Sequence, residues 1–260
     1  LASGAQTREQ VLTGFSESPE NKAALLPAIQ NGMTYIEPYR FTGSSAADVL
    51  IGTAASDTLR GLAGNNFLIG LGGNDSIDGG TGIDTAVYAG NRSTHSILHV
   101  GASLSVASLS GFDGTDALIN VERLQFADVN LAFDVDGNAG QTYRLYQAAF
   151  DRSPDLAGLG SWIGAMDQGM TLLEVAHGFI GSAEFQSLYG ANPGNGQFVT
   201  LLYDNVLHRA PDAGGYGYWV DQLASGAQTR EQVLTGFSES AENQLALIGV
   251  IQNGMAYLPG

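Results

Sequence analysis

The chain has 260 residues and a formal net charge of −16, because 26 acidic residues outnumber ten lysines and arginines. This acidic balance excludes the basic footprint of a nucleic-acid-binding protein, and the absence of cysteine excludes disulfides and thiolate chemistry. Hydrophobic residues make up 44% of the chain, enough for buried cores, but no apolar run approaches the roughly 18 residues of a transmembrane segment and the N-terminus has no apolar secretory segment.

The first residues of the chain repeat a later part of it. Residues 1–18 are identical to 223–240, and the match continues to 28 of 35 residues. Thr7 with Gln10 has the spacing of a capping box, which predicts a helix start. We therefore expect residues 1–37 to be the second half of a helical repeat unit, with two helices, in a fragment of a longer repetitive protein. Its apolar side chains need a partner surface, so self-association through this segment is one expectation.

Residues 43–87 then follow in steps of nine: GSSAADVLI, GTAASDTLR, GLAGNNFLI, GLGGNDSID and GGTGIDTAV. Every step opens with glycine, which tolerates the positive φ angles of a tight turn. The eighth position is aliphatic, and its side chains are expected to point inward from very short strands: Leu50, Leu59, Leu68, Ile77 and Ala86. A flexible glycine-rich linker is the alternative, and it does not account for this register.

The sixth position of each step carries a carboxylate or an amide. If two steps make one coil, Asp57 lies next to Asp75 in one row of turns, and Asp48, Asn66 and Asp84 form the other row. Two carboxylates about 4 Å apart repel by on the order of 4 kcal/mol at an effective dielectric constant of about 20, so a cation between them is expected. Ca²⁺ accepts roughly six to eight oxygen ligands with loose geometry, whereas Zn²⁺ prefers the histidine and cysteine that this block lacks.

These five side chains are the predicted calcium ligands, with different strengths. The pair Asp57 and Asp75 is expected to form the best site. The row that contains Asn66 is expected to bind more weakly, because the amide removes one negative charge. Affinities of about 10⁻⁴ to 10⁻³ M are typical of extracellular calcium modules.

This block resembles the glycine-rich nonapeptide repeat of the RTX (repeats-in-toxin) family, G-G-x-G-x-D-x-U-x. The resemblance implies a parallel β-roll that binds Ca²⁺. It also implies secretion from a bacterium through type I export, with an uncleaved C-terminal signal.

The outward strand positions differ between odd and even steps. Those of the odd steps, called the odd face below, are mostly apolar: Val49, Ile51, Phe67, Ile69, Thr85 and Val87. An exposed apolar sheet promotes aggregation, so we expect another part of the chain or a partner to cover the odd face.

Short alternating runs after the repeats predict antiparallel strands over residues 91–136. Within them, residues 113–128 resemble the segment that often follows RTX repeats and caps the open end of the roll. Asp113 and Asp116 are expected to cap their own turn, and an additional calcium ligand is the alternative.

The remainder of the chain repeats with a period of about 57 residues, since residues 143–163 align with 200–220. Capping residues at equivalent positions predict four helices in each unit. The repeated pattern R-x-P-D…G-x-W resembles an uncharacterised helical family found beside RTX repeats in secreted bacterial proteins. No activity comes with that resemblance. Trp162 and Trp219, at equivalent positions, are interpreted as core residues, with stacking on a sugar as the alternative.

The predicted fold class is an α+β multidomain chain: a short parallel β-roll with an antiparallel β cap, flanked by all-α helical repeat units. The expected domains are a half-unit at 1–37, the roll at 41–90, the cap at 91–136 and two helical units at 138–260. No His-Glu-x-x-His, Gly-x-Ser-x-Gly or phosphate-loop motif is present, so a non-catalytic protein is predicted.

The predicted function is a secreted calcium-binding module whose folding is driven by extracellular Ca²⁺, with helical units for interaction or cell-surface attachment. Two alternatives remain open. In the first, the chain is the accessory and secretion region of a larger secreted enzyme of the protease or lipase type. In the second, it is a surface-layer or adhesin subunit that binds surface glycan.

Overall fold

Short strands at intervals of nine residues begin the part of the chain that the structure describes. The computed structural model describes residues 39–260, so the half-unit expected at 1–37 lies outside the described residues. Each of the first six strands has three residues: β1 (Arg40–Thr42), β2 (Val49–Ile51), β3 (Thr58–Arg60), β4 (Phe67–Ile69), β5 (Ser76–Asp78) and β6 (Thr85–Val87). Because the turns occupy the rest of each nine-residue step, these strands cannot be longer.

Two consecutive strands make one coil, as the sequence predicted. Strands β1, β3 and β5 pair in parallel in one sheet, and β2, β4 and β6 pair in parallel in the other. The register offset is 18 residues, with Thr58 opposite Ser76. The middle side chain of each strand points inward, and four of these are almost fully buried: Leu59, Leu68, Ile77 and Ala86. The aliphatic eighth positions therefore form the core of the roll.

Six further strands extend the two sheets: β7 (His95–Val100), β8 (Ser103–Ser108), β9 (Thr115–Ile119), β10 (Arg123–Gln125), β11 (Asn130–Ala132) and β12 (Met255–Tyr257). One sheet has the order β1-β3-β5-β9-β8-β7 and the other β12-β11-β10-β6-β4-β2. Pairing within the cap is antiparallel, as expected. At the junction that expectation is wrong, because β9 pairs in parallel with β5 and β10 in parallel with β6. The chain continues the coil of the roll there instead of reversing.

Eight helices lie within the described residues: α1 (Asn138–Phe150), α2 (Leu156–Asp167), α3 (Leu172–Ile180), α4 (Ala183–Tyr189), α5 (Asn195–Leu207), α6 (Ala213–Ser225), α7 (Arg230–Ser238) and α8 (Ala241–Ile251). Their number is the one that two repeats of four helices predict, and the division into two units stays a prediction. Six predicted caps each accept a backbone hydrogen bond: Asp155, Thr171, Ser182, Asp212, Thr229 and Ser240. No described helix is long and apolar enough to span a bilayer.

The helical region and the roll share a sheet. After α8 the chain forms β12, which pairs antiparallel with β11, so that Tyr257 lies opposite Asn130. Beside this junction the buried guanidinium of Arg123, on β10, forms an ion pair with Asp134 and lies 3.6 Å from the carboxylate of Asp167 at the end of α2. Roll, cap and helices are therefore connected by both backbone pairing and a buried ion pair.

The odd face is exposed where the roll begins. Val49 is 63% exposed, Ile51 53% and Phe67 45%, whereas Ile69 and Val87 are partly covered. Within residues 39–260 nothing covers the outer side of β2, so the cover that the sequence predicts for the odd face stays a prediction.

Replacement of a core residue of the roll tests this architecture. Leu68→Ala should lower the free energy of unfolding in saturating calcium by about 2–5 kcal/mol, because the side chain is fully buried and a cavity remains. Urea unfolding measures the change. Leu98→Ala is the control, since Leu98 is 64% exposed on β7 and should cost far less. Equal losses of unfolding free energy in the two variants would contradict the assignment of Leu68 to the inward row.

Candidate metal sites in the turns of the roll

The sixth-position side chains lie in the turns before the strands and form two rows. The backbone N–H of one step donates to the side-chain oxygen two steps later: Asp57 N to Asp75 Oδ1 at 2.8 Å, and Asn66 N to Asp84 Oδ1 at 2.8 Å. Asp48 N likewise donates to Asn66 Oδ1 at 2.9 Å. The first row thus contains Asp57 and Asp75 and the second Asp48, Asn66 and Asp84, as the sequence predicted.

The second carboxylate oxygen has a protein partner in the first two steps. Asp48 Oδ2 accepts from the backbone N–H of Ser44 at 2.6 Å and from its hydroxyl at 2.9 Å. Asp57 Oδ2 accepts from the N–H and hydroxyl of Thr53 at the same two distances. A serine or threonine in the second position of the step therefore satisfies these carboxylates within their own turn.

In the fourth and fifth steps the second oxygen has no partner. Asp75 Oδ2 and Asp84 Oδ2 are buried without a hydrogen bond, in residues that are 3% and 0% exposed. Their steps carry Leu71 and Gly80 in the second position, so no hydroxyl is available. Burial raises the pKa of both carboxyls above the usual value, because the charged form loses its hydration. An unpartnered buried carboxylate oxygen calls for a counter-charge.

Carbonyl oxygens lie near the carboxylates of Asp57 and Asp84, beside the first-position glycines. A Cβ on Gly52 would lie 2.6 Å from the carbonyl oxygen of Gly70 and 2.8 Å from Asp57 Oδ2. A Cβ on Gly79 would overlap the carbonyl oxygen of Asn120 and lie 2.7 Å from Asp84 Oδ2. Because glycine has no side chain, the space between a carboxylate of one coil and a backbone carbonyl of the next stays open at the first position.

These donors fit Ca²⁺. All are oxygens, and carboxylates with backbone carbonyls are the ligands of a hard cation. Among residues 39–260 no three histidine, cysteine or acidic side chains gather as a metal-binding group, so two carboxylates with carbonyls and water would complete the shell. Loose coordination of this kind is available to Ca²⁺ and is unfavourable for Mg²⁺, which demands near-octahedral geometry.

Asn66 replaces charge repulsion with a hydrogen bond in the second row. Its amide nitrogen donates to Asp84 Oδ1 at 2.8 Å and to the carbonyl oxygen of Gly64 at 3.1 Å. Between these two steps, a hydrogen bond therefore takes the place of a contact between two carboxylates. That contact supports the expectation of weaker calcium binding beside Asn66.

Two acidic residues of the cap continue the rows, and the interpretation of the sequence did not assign them there. Asp116 Oδ1 accepts from Asp75 N at 2.9 Å, and Glu122 Oε2 accepts from Asp84 N at 2.8 Å. Asp116 does not cap its own turn as expected, because its Oδ2 accepts from the hydroxyl of Tyr88 at 3.0 Å. Burial raises the pKa of Asp116 to about 7, and the nearby charge of Asp75 adds to this. Both residues lie outside the nine-residue frame of the earlier steps.

The charged and aromatic pairs of the helical units have structural roles. Arg152 makes a two-pronged ion pair with Glu184 at 2.6 and 3.0 Å, and Arg209 repeats this with Glu242 at 2.8 and 3.0 Å. Asp155 and Asp212 are mainly helix caps, so their pairing with the arginines is a minor contact.

The two tryptophans are half-buried against phenylalanines. Trp162 lies edge-on to Phe179 with ring centroids 5.3 Å apart, and Trp219 lies 5.4 Å from Phe237. Both are partly buried and pack against the helical core without belonging to it, so their interpretation as core residues holds only in part.

Comparison with known families agrees with this geometry. Residues 42–67 and 51–86 match the family model of the RTX calcium-binding nonapeptide repeat. Residues 139–188 and 176–247 match a domain of unknown function, DUF4214. The chain therefore contains RTX calcium-binding repeats, folded as a β-roll, followed by a DUF4214 region.

Among solved structures, the chain is similar to the extracellular lipase LipA from Serratia marcescens, with 19% identity and a TM-score of 0.36. The similarity covers 40% of this chain and 18% of the lipase chain. A search of curated proteins finds no match.

Because Oδ2 of Asp75 has no partner, replacing this residue should raise the stability without calcium and weaken calcium binding. Asp75→Asn should raise the calcium-free stability by about 1–3 kcal/mol, because it removes an unsatisfied buried charge. It should at the same time weaken calcium binding by roughly tenfold or more, since ligand charge determines affinity. Urea unfolding in EGTA and calcium titration calorimetry measure the two effects.

Asp48→Asn is the matched control for this prediction. Asp48 already accepts two hydrogen bonds from Ser44, so its replacement should give no gain in calcium-free stability. A similar gain in both variants would show that the free oxygen of Asp75 has no particular cost.

Proposed function

We propose that this chain is a secreted calcium-dependent module in which Ca²⁺ outside the cell drives folding of the roll. The observation that carries the proposal is the pair of buried carboxylate oxygens, Asp75 Oδ2 and Asp84 Oδ2, that have no protein partner. Asp75 with Asp57, and Asp84 with its neighbours in the second row, are the proposed ligands. Asp48 and Asp57 already accept hydrogen bonds at Oδ2 within their own turns, and Asn66 has an uncharged amide, so these three contribute less than Asp75 and Asp84.

The free energy of the site differs between its ion-free and its ion-bound state. Without an ion, each unsatisfied buried group costs about 1–3 kcal/mol, and more if it is charged. With an ion, the same oxygens gain a counter-charge. Because the stacked turns exist only in the folded chain, the binding free energy becomes folding free energy, and calcium at ~100 times its dissociation constant contributes about 2.7 kcal/mol.

This dependence on calcium suits export. In a cytoplasm with little free calcium, the repulsion between the acidic turns keeps the roll unfolded, and an unfolded chain passes through a type I export channel. Outside the cell, calcium closes the roll. The RTX repeats of residues 42–86 support this route.

The helical region differs from the roll in how it is stabilised. Its core consists of fully buried aliphatic and aromatic side chains such as Leu145, Phe198 and Leu202, and contains no acidic row. Its folding therefore needs no cation, although β12 and Arg123 connect it to the cap. A role of these helices in interaction or attachment stays a prediction.

Calcium titration followed by circular dichroism tests the proposal. In excess EGTA the helical signal should be largely present while the β contribution is reduced, and addition of millimolar calcium should restore the latter. Magnesium at the same concentration is the control and should have a much smaller effect. A β signal that is already complete in EGTA would rule out calcium-driven folding.

A double variant separates calcium binding from folding. Asp75→Asn combined with Asp84→Asn removes both unpartnered charges, so the roll should fold in EGTA and respond little to calcium. A variant that still requires calcium for its β signal would show that these two carboxylates are not the origin of the dependence.

A further inference from the structure

Residues 111–119 have the pattern of a further repeat. They read GFDGTDALI, with glycine in the first and fourth positions, aspartate in the sixth and leucine in the eighth. The fifth step, GGTGIDTAV at 79–87, has the same arrangement of glycines and aspartate. The segment lies outside the residues that match the RTX family model, because the β7–β8 hairpin separates it from them.

The structure places this segment as the next turn of the coil. Strand β9 pairs in parallel with β5, with Ala117 opposite Ser76 and Leu118 opposite Ile77. Leu118 is 1% exposed and continues the inward row of the roll. Gly114 has a φ of 72°, in the same left-handed region as the φ of 106° at Gly73 in the fourth step. The hairpin is thus an insertion between two successive coils.

The hydrogen bonds of the row also continue. Asp75 N donates to Asp116 Oδ1 at 2.9 Å, as Asp57 N donates to Asp75 Oδ1 at 2.8 Å. Asp116 is 2% exposed, so its carboxylate lies inside the stack and not on the surface. Position for position, Asp116 has the same place relative to Asp75 that Asp75 has relative to Asp57.

We propose that residues 111–119 form a sixth calcium repeat and that Asp75 and Asp116 together bind one Ca²⁺. The proposal rests on the proposed function, since it assumes that the roll binds calcium. The free ligand atom of this pair is Asp75 Oδ2, which is buried without a partner. Asp75 Oδ2 lies in the space beside Gly70, the first-position glycine of its own step, as Asp57 Oδ2 lies beside Gly52 and Asp84 Oδ2 beside Gly79.

This site shifts calcium binding toward the cap. Asp57 has hydrogen-bond partners for both oxygens, in Tyr39 N and Thr53, whereas Asp75 has a partner for only one. Asp116 also has a partner for each oxygen, in Asp75 N and the hydroxyl of Tyr88, so the free oxygen of the proposed pair belongs to Asp75. Binding between the fourth step and the detached repeat fastens β9 to the roll. Tyr88 is buried and donates its hydroxyl to Asp116 Oδ2.

Terbium luminescence of the whole chain tests the proposal, because Tb³⁺ substitutes for Ca²⁺ and is excited by a nearby tyrosine. Tyr88 is hydrogen-bonded to the proposed ligand Asp116 and is the expected donor. Asp116→Asn should lose about one bound calcium per chain, or bind it at least roughly tenfold more weakly, in calorimetric titration. Tyr88→Phe should keep the ion count and lose most of the tyrosine-sensitised terbium signal.

Asp128→Asn is the matched control, since it removes the same charge from an exposed turn of the cap and should change neither measurement. An unchanged calcium count and affinity in Asp116→Asn would overturn the sixth repeat, even if the wild-type roll folds with calcium. If the wild-type chain binds no calcium at all, the proposed function itself fails. If Asp116→Asn does not fold, the Tyr88→Phe variant decides, and full terbium luminescence in it would overturn the site.

Discussion

Carboxylates that recur every 18 residues along this coil lie side by side in the folded chain, and their mutual repulsion has to be compensated. The protein compensates it differently from step to step. Hydroxyl and backbone donors of Ser44 and Thr53 satisfy the first two carboxylates, and the amide of Asn66 replaces a charge in the third step. Asp75 and Asp84 have no such donor. The buried carboxylate oxygens without a partner are therefore concentrated at the end of the roll that faces the cap.

That end is also where the rest of the molecule is attached. Strands β9 and β10 continue the two parallel sheets, and β11 and β12 extend one of them to the helical region. Arg123 lies at this junction, buried between Asp134 and the end of α2. The last acidic turns thus lie beside the strands on which the cap and, through β12, the helices are assembled. The helical core itself consists of apolar side chains.

Local patterns in the sequence were sufficient for much of this. The caps at Asp155, Thr171 and Ser182 involve atoms three residues apart, so sequence spacing alone predicts them. The stacking of alternate strands followed from the period of nine, since only one register places every aliphatic eighth position inside. The ion pairs of Arg152 with Glu184 and of Arg209 with Glu242 join residues about 32 positions apart, so no local pattern predicts them.

The sequence by itself determined the coil, its inward row, the two acidic rows and the eight helices, because each of these depends on the spacing of residues within one or two turns. Only the tertiary structure decided which acidic oxygens lack a partner and that Asp116 follows Asp75 in the same row. The reason is physical: whether a buried oxygen is satisfied depends on donors that folding brings from elsewhere in the chain, such as the hydroxyl of Tyr88. Because a hairpin is inserted between Asp75 and Asp116, their spacing in the sequence does not indicate that they are close. The parallel register of β5 and β9 shows that they are.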